Sequence, residues 1–573
     1  MRILFLVHGF NSLSQRLFVE LRNDGHDVSV EFDISDANLS EAVGLFQPHV
    51  ILAPFLKRAI PKEVWKNHLC LIVHPGVIGD RGPSALDWAI LDNAQSWGVT
   101  VLQAEAEMDA GPIWASARFE MRAASKSSLY RSAVSDAALI AVRQALTRVA
   151  TPGATPEPLA DSSDARGRLR PSTVQADRRI NWQRDTTADV LRKIHSADGV
   201  PGVRETICGL DVFLHDARSA NGTTGPAGEV LATSGPAICL GTIDGAIWIG
   251  RLRRPSGEVT FKLPATRVLA ACLPARPEIP MDSEQGYREI EYSEQGPVGT
   301  LRFEFYNGAM STDQCQRLLT AYNAALARPT KVLVLAGGRD FWSNGIHLNN
   351  IEAANNAAEE SWLNINAMDD LAEAIIRTES HLTIAAMGGN SGAGGVFLAR
   401  ACDQLWMREA VIVNPHYKDM GNLYGSEFWT YLLPFHCGAY NARRISQQRL
   451  PMGAAEAREL KLADAIIATG RADFDTEVHR RALDLANAPD LAEKLREKSG
   501  QRQAHESEKP LSSYRAEELA RMRRNFFGFD TSYHVARYNF VHKICKSRTP
   551  VTLASHRDKT RHQTDRQHAR RAS

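Results

Sequence analysis

Two stretches of this sequence carry residue types at spacings that suit chemistry. The first is the loop Ile72-Val73-His74-Pro75-Gly76-Val77-Ile78-Gly79-Asp80-Arg81-Gly82-Pro83-Ser84, which follows the apolar run Leu69-Cys70-Leu71-Ile72-Val73. Such a run reads as a buried parallel strand. In open α/β sheets the crevice beyond the strand ends is where ligands bind. An imidazole placed there suits proton transfer near neutral pH. The second stretch lies in the C-terminal half. Phe341-Trp342-Ser343-Asn344-Gly345-Ile346-His347-Leu348 is followed by the apolar His381–Gly389 segment and then by Gly392-Ala393-Gly394-Gly395. Glycines at a helix start let a ligand oxygen approach backbone N–H groups.

The elements that must position these stretches come from the rest of the chain. At 573 residues, with 44% apolar and 23% charged residues, it is expected to fold as two to four globular domains. A net charge of +1 gives no global field favouring nucleic acid or membrane. The eight cysteines form no C-x-x-C pair, and several lie in strand-like apolar runs. Reduced thiols in a cytoplasm, without structural zinc or another metal, are the expectation. No apolar run is long enough for a membrane span, and the N-terminal Ile3–Val7 run reads as a first strand, too short for a signal sequence.

Strand and helix patterns through Val28–Phe32, Val50–Ala53, Ala85–Gln95 and Val99–Ala104 describe a Rossmann-like domain over residues 1–165, although G-x-G-x-x-G is absent. Residues 154–172 are rich in Pro, Ser, Asp and Arg and read as a linker. Short strands with Gly and Pro turns over 170–278 suggest a small barrel-like module, with turns at Asp216-Ala217-Arg218 and Asn221-Gly222. A third domain spans 282–485, a helical region 486–545, and a basic tail read as disordered 546–573. In the helical region, Tyr533–Cys545 reads as a helix with Phe540 and Val541 on its apolar side.

The H-P loop followed by the turn Met108-Asp109-Ala110-Gly111-Pro112-Ile113 resembles the 10-formyltetrahydrofolate-dependent formyltransferases. That resemblance implies that His74 shuttles the proton, that Asp109 orients it, and that folate lies among Phe55, Leu56 and Met108. One position departs from the family pattern. Its asparagine two residues before the histidine is here Ile72, which donates no hydrogen bond to an oxyanion. Asn11 and Ser84 are candidate replacements, and a thiol acceptor, being a better nucleophile than an amine, relaxes the need for one. The Arg179-Ile180-Asn181-Trp182 opening of the second module resembles the C-terminal module of methionyl-tRNA formyltransferases.

The third domain resembles the crotonase (enoyl-CoA hydratase/isomerase) superfamily. By that resemblance the amides of Ile346 and Gly394 form an oxyanion hole for a thioester. Phe397 stands where a hydratase carries its first glutamate, and Tyr417 stands near the second, so hydration is not expected. Tyr417 and Glu427 become the acid/base candidates, Asn422 and Tyr424 are nearby polar groups, and His347 reads as a polar wall. Arg131 and Asn307 are candidate coenzyme A contacts. Arg537 and Lys543 are candidate partners for its phosphates.

The whole is therefore read as an α/β multidomain protein: a Rossmann-like formyltransferase domain, a barrel-like module, and a crotonase-like ββα spiral domain with C-terminal helices. The combination resembles the HypX (HoxX) family of nickel–iron hydrogenase maturation proteins. It implies formyl transfer from 10-formyltetrahydrofolate to coenzyme A, then decarbonylation of formyl-CoA to carbon monoxide. The substrates are small molecules, and hydrogenase maturation proteins are possible partners. The alternatives are formyl transfer to an amine or sugar nucleotide, and a non-catalytic folate- or CoA-binding scaffold.

Overall fold

The computed structural model of the chain describes residues 1–257 and 259–558. Its first sheet contains β1 (Arg2–Val7), β2 (Asp27–Phe32), β3 (Val50–Phe55), β4 (Cys70–His74), β5 (Ser96–Gln103) and β6 (Ile113–Glu120), in the order β2-β1-β3-β4-β5-β6. β1 to β4 pair in parallel, and β5 and β6 are added antiparallel. The apolar runs seen in the sequence form the buried strands of this layer. β4 thus differs from a purely parallel strand, and His74 stands at its end, opposite Thr100 of β5. The edge strand β6 was not expected, because its sequence, IWASARFE, mixes small and charged residues. The Ala85–Leu91 helix is shorter than the expected 85–95.

The 154–172 segment is no free linker. Arg166 and Gly167 donate backbone bonds to the Ile78 carbonyl, Arg81 to that of Arg168, and Arg170 to that of Arg81. A Cβ added at Gly167 would collide with the Asp80 backbone. Segment and loop are therefore in direct backbone contact.

The second sheet is antiparallel: β7 (Val203–Ile207), β8 (Leu210–Ser219), β9 (Val230–Ser234), β10 (Ala237–Thr242), β11 (Gly245–Arg253) and β12 (Leu263–Pro264), in the order β7-β8-β11-β10-β9 with β12 on β11. The turn expected at Asp216-Ala217-Arg218 lies inside β8. Ala217 and Arg218 pair with Ile249 and Trp248, while Asp216 takes up a left-handed kink at φ 57°. A single irregular residue in a polar tripeptide mimics a turn in sequence.

The third sheet runs β13 (Ile290–Gln295), β14 (Val298–Phe303), β15 (Val332–Ala336), β16 (Leu382–Met387), β18 (Gln404–Arg408) and β21 (Ala465–Ile467). Beside it a small sheet joins β17 (Ser391–Gly392), β19 (Ile412–Asn414) and β20 (Met452–Gly453). Helices Thr312–Leu326 and Ala357–Ile376 share its main core, which takes in Leu335, Trp342, Met387 and Phe397. Among the described residues no helix is long and apolar enough to cross a membrane.

The C-terminal region departs from expectation in two places. The last long helix is Ser532–Val541, and although Val541 is buried, Phe540 is 53% exposed. Residues 546–558, expected to be disordered, strap onto the edge strand β2; the remainder of that expectation, 559–573, lies outside the described residues. Val30 donates its N–H to the Leu553 carbonyl (3.0 Å), and Phe32 donates to the Thr549 hydroxyl (2.8 Å). Buried Glu31 receives Thr549 (2.7 Å), His556 (2.9 Å) and Arg557 (3.1 Å). Burial alone would raise the Glu31 carboxyl, but these partners hold it below its usual range.

A carboxyl depressed in the folded state stabilises above its unfolded value, and that stabilisation is lost as pH falls through the folded one. Glu31→Gln is therefore expected to cost about 3 kcal/mol at neutral pH. Thermal melts on acidification should show wild type converging on the variant; a constant gap would mean that the ion pairs contribute nothing.

Candidate active sites

The His74 imidazole is 5% exposed and sits between two carboxylates. Its Nε2 lies 2.8 Å from Asp80 Oδ2, and its Nδ1 lies 3.7 Å from Asp109 Oδ2. The closer partner is thus Asp80, on the same loop, and Asp109 stands off on the other face of the ring. Asp109 takes φ 56° and accepts the Gly82 N–H at 3.2 Å. The loop is pinned from β5, where Trp97 donates to the Pro75 carbonyl and Thr100 to that of Gly76, both at 2.9 Å. Gly76 has a steric reason: an added Cβ would run into His74 and Asp80. An imidazole with an acid at each nitrogen can take up a proton on one side and release it from the same ring.

Phe55 ends β3 and lies edge-on to His8 and Tyr130, with Leu56 next to it. Met108 is 50% exposed on the Asp109 turn. Ile72 is part of β4, and of the two proposed replacement donors Asn11 already donates its side-chain N–H to Tyr130, whereas Ser84 acts as an acceptor. The Asn11 side chain caps the Ser12–Asn23 helix and reaches Tyr130, and the Ser84 hydroxyl holds Thr173.

Arg131 and Asn307, far apart in sequence, come together at 3.4 Å. Arg131 also meets Asp340 at 3.4 Å and lies over the Phe341 ring at 4.7 Å. It projects from a π-helical turn, Tyr130–Val134, within the helical run between Lys126 and Ala150. Such turns re-aim side chains and recur at functional sites. A cavity of about 320 Å³ opens here, bordered by Arg122, Arg131, Asp198, Tyr306, Asn307 and Arg339, so segments of all three domains contribute to its wall.

Asn307 leads on to the second site. Its carbonyl accepts the Asn344 side chain at 2.8 Å, next to Gly345 and Ile346. Gly345 (φ 77°) packs on Gly394, and an added Cβ would lie 3.3 Å from the Gly394 nitrogen. Gly394 is the first residue of the Gly394–Arg400 helix, so its N–H has no acceptor within that helix. Ala393 before it is held at φ 47°. Glu427 is 1% exposed and sits directly on Gly394, where an added Cβ would overlap the Glu427 carboxyl. Tyr417 donates to that carboxyl and lies 3.0 Å from the Ser426 carbonyl. Its ring stacks on Phe397 at 5.4 Å, so the phenylalanine in the hydratase acid's place forms a wall for the tyrosine. Burial, reinforced by the Asp369 charge, pushes the Glu427 carboxyl well above the carboxylate range, and burial next to Glu427 pushes the Tyr417 phenol up.

Matches to three protein families follow the same division. Residues 31–146 match formyl transferase, 173–260 the formyl transferase C-terminal domain, and 305–529 enoyl-CoA hydratase/isomerase. Hydrogenase maturation factor HoxX of Bradyrhizobium diazoefficiens is 54% identical over 97% of both chains. The chain belongs to the HoxX/HypX family of hydrogenase maturation factors. A solved structure of HypX from Aquifex aeolicus in complex with tetrahydrofolic acid superposes with a TM-score of 0.94 at 45% identity, covering 97% of this chain and 99% of that one. Methionyl-tRNA formyltransferase of Ruegeria pomeroyi is 29% identical over 38% of this chain and 66% of its own length.

Four other expectations fare differently in this HoxX/HypX chain. Arg537 is buried in an ion pair with Glu352 (2.6 Å) and touches His534 (2.8 Å), so it fastens the Ser532–Val541 helix instead of facing a phosphate. Asn422 is exposed and holds Arg449. Tyr424 packs on Trp429. His347 is the N-cap of the Leu348–Glu352 helix, and burial lowers it to about 3. Asp80 was missed; its one signal was an acid six residues after His74 in the same glycine- and proline-rich loop.

Gly394→Ala should abolish chemistry at the second site, because its methyl would displace Glu427, while formyl transfer from folate persists. Assaying the two steps separately checks this; an active variant would mean that Glu427 is not held against this amide.

Proposed function

We propose that the chain makes carbon monoxide in two steps, moving the formyl group of 10-formyltetrahydrofolate to the thiol of coenzyme A and then decarbonylating formyl-CoA. The carbon monoxide would serve as the carbonyl ligand of a hydrogenase iron. The observation that carries this reading is the contact between the halves: Arg131 of the formyltransferase half and Asn307 of the crotonase half touch in the wall of one cavity, and Asn307 leads on through Asn344 toward Gly345 and Gly394.

In the first step sulfur attacks the formyl carbon, the C–N10 bond breaks, and the thiol proton ends on N10. His74 carries that proton, taking it as sulfur attacks and returning it to the leaving nitrogen. Asp80 fixes the ring through one nitrogen, and Asp109 stands near the other. Phe55, Leu56 and Met108 border the folate. A thiol is nucleophilic enough to react without the donor that Ile72 lacks.

In the second step the C–H and C–S bonds of the formyl thioester break, carbon leaves as carbon monoxide, and sulfur gains a proton. No electrons enter or leave. The amides of Ile346 and Gly394 hold the formyl oxygen. Glu427 takes the formyl proton, its raised proton affinity making it a stronger base than an ordinary carboxylate. Tyr417 gives a proton to sulfur and regains one from Glu427 through their hydrogen bond. Formyl-CoA has no α-carbon, so enolate chemistry is unavailable. Arg131 and Asn307 anchor the coenzyme between the sites while its thiol end moves.

The test is purified protein supplied with 10-formyltetrahydrofolate, with and without coenzyme A, and carbon monoxide read by haemoglobin absorbance. Carbon monoxide should appear only with coenzyme A. His74→Ala should remove it from the folate route and spare the supplied formyl-CoA route, whereas Glu427→Gln should remove both. Carbon monoxide formed without coenzyme A, or never formed, overturns the two-step reading.

A further inference from the structure

Glu427 and Phe428 are consecutive non-glycine residues in the left-handed region, at φ 61° and 59°. Each costs conformational energy, so the surroundings must hold the pair in place. The holding groups are two carboxylates from different helices. Asp369, on Ala357–Ile376, accepts the Glu427 N–H at 2.8 Å and the Ser426 hydroxyl at 2.7 Å on both oxygens. Glu518, on Leu511–Phe527, accepts the Phe428 N–H at 2.9 Å and the Thr430 N–H at 2.8 Å. Asp369, Glu427 and Glu518 are each at most 1% exposed.

Such a set of acids is costly to bury, and structural stability gives no reason to keep it. The nearest cation, Arg515, is 3.9 Å from Asp369 and is shared with Asp370 (2.6 Å) and Glu373 (3.1 Å). The donors are divided unequally. Asp369 receives the Glu427 N–H and a Ser426 hydroxyl shared between both oxygens, both short, and burial raises its carboxyl only to about 6. Glu427 receives only the Tyr417 hydroxyl and a long 3.3 Å contact from the Ser426 N–H, and so holds the proton at rest. The titratable groups facing Glu427 are Tyr417 from its own loop, Asp369 from one helix, Glu518 and Arg515 from another, and the Cys315 thiol from the Thr312–Leu326 helix.

We propose that Asp369 is a positioning residue for the second step: it locks the strained Glu427 turn against Gly394 and sets a second carboxyl group beside that of Glu427. This rests on the reading of Glu427 given above. Substrate reaches Glu427 over Gly394, whereas Asp369 lies behind the turn and touches only its backbone and the Ser426 hydroxyl. Burial is the larger influence on Glu427 and the Asp369 charge the second, so a neutral isostere should lower its proton affinity without exposing it.

The test is Asp369→Asn in the full chain, assayed on supplied formyl-CoA across pH. Asparagine keeps an acceptor for the Glu427 N–H and removes the charge. In wild type, activity should rise with pH through the titration of Glu427. In the variant that limb should move about one pH unit lower, with a plateau about tenfold lower, because a weaker base removes the formyl proton more slowly. KM for formyl-CoA and the folate half-reaction should be unchanged. A loss of rate with the limb in place would reduce Asp369 to a structural residue and overturn the proposal. If the variant does not fold, infrared titration of the Glu427 acid band in wild type, with Glu427→Gln as the blank, decides instead. Titration in the ordinary carboxylate range, or a band that does not respond as the Asp369 carboxyl titrates, overturns the proposal, and a raised titration in two coupled steps supports the neighbouring carboxyl's influence. An active Glu427→Gln would sink the reading of the site itself. An inactive one, with the Asp369→Asn limb unmoved, would sink only the role of Asp369.

Discussion

The contact on which the architecture turns is the guanidinium of Arg131, held between Asp340, Asn307 and the Phe341 ring. It joins the helical flank of the first sheet to the mouth of the third. Ion pairs at a surface contribute little, but this one is half-enclosed and sits in a cavity wall together with other charged groups. In the proposed two-step reading one coenzyme serves two sites built on unrelated folds, and a fixed anchor between them would turn an encounter between two enzymes into a swing of a single tethered arm, at a high effective concentration.

The two halves were unequally legible in the sequence. Apolar runs announced the parallel strands, and glycine-rich stretches announced the second site, because buried strands and close backbone approach leave compositional traces. His74 and Glu427 were visible because the motifs around them resemble those of known families. Asp80 was hidden because its importance comes from a loop folding back on itself. Asp369 was hidden because it lies in an unremarkable helix and acts on a turn far along the chain. Arg537 is paired with Glu352, and a basic residue on a late helix looks the same in sequence whether it faces a ligand or a neighbouring acid.

Backbone strain forms the common thread of the sites. Asp109, Asn307, Ala393, Glu427 and Phe428 all have positive φ, and each belongs to, or adjoins, a candidate catalytic or binding position. None is glycine, so none could be foreseen from composition. Their cost is offset by local hydrogen bonds: Gly82 on Asp109, Asn344 on Asn307, and the two buried carboxylates behind Glu427 and Phe428. Precision in this protein is therefore stored in the main chain, and the side chains inherit it.

The strap formed by residues 546–558 has a consequence for biogenesis. The open N–H row of β2 is covered by Leu553 and Thr549, which leave the ribosome after nearly all the rest of the chain. Until then the first domain presents a bare sheet edge, the kind of surface on which nascent chains pair wrongly. The strap follows the crotonase half in the chain and returns to the second strand made, so that the formyltransferase half is sealed only once the crotonase half has been synthesised.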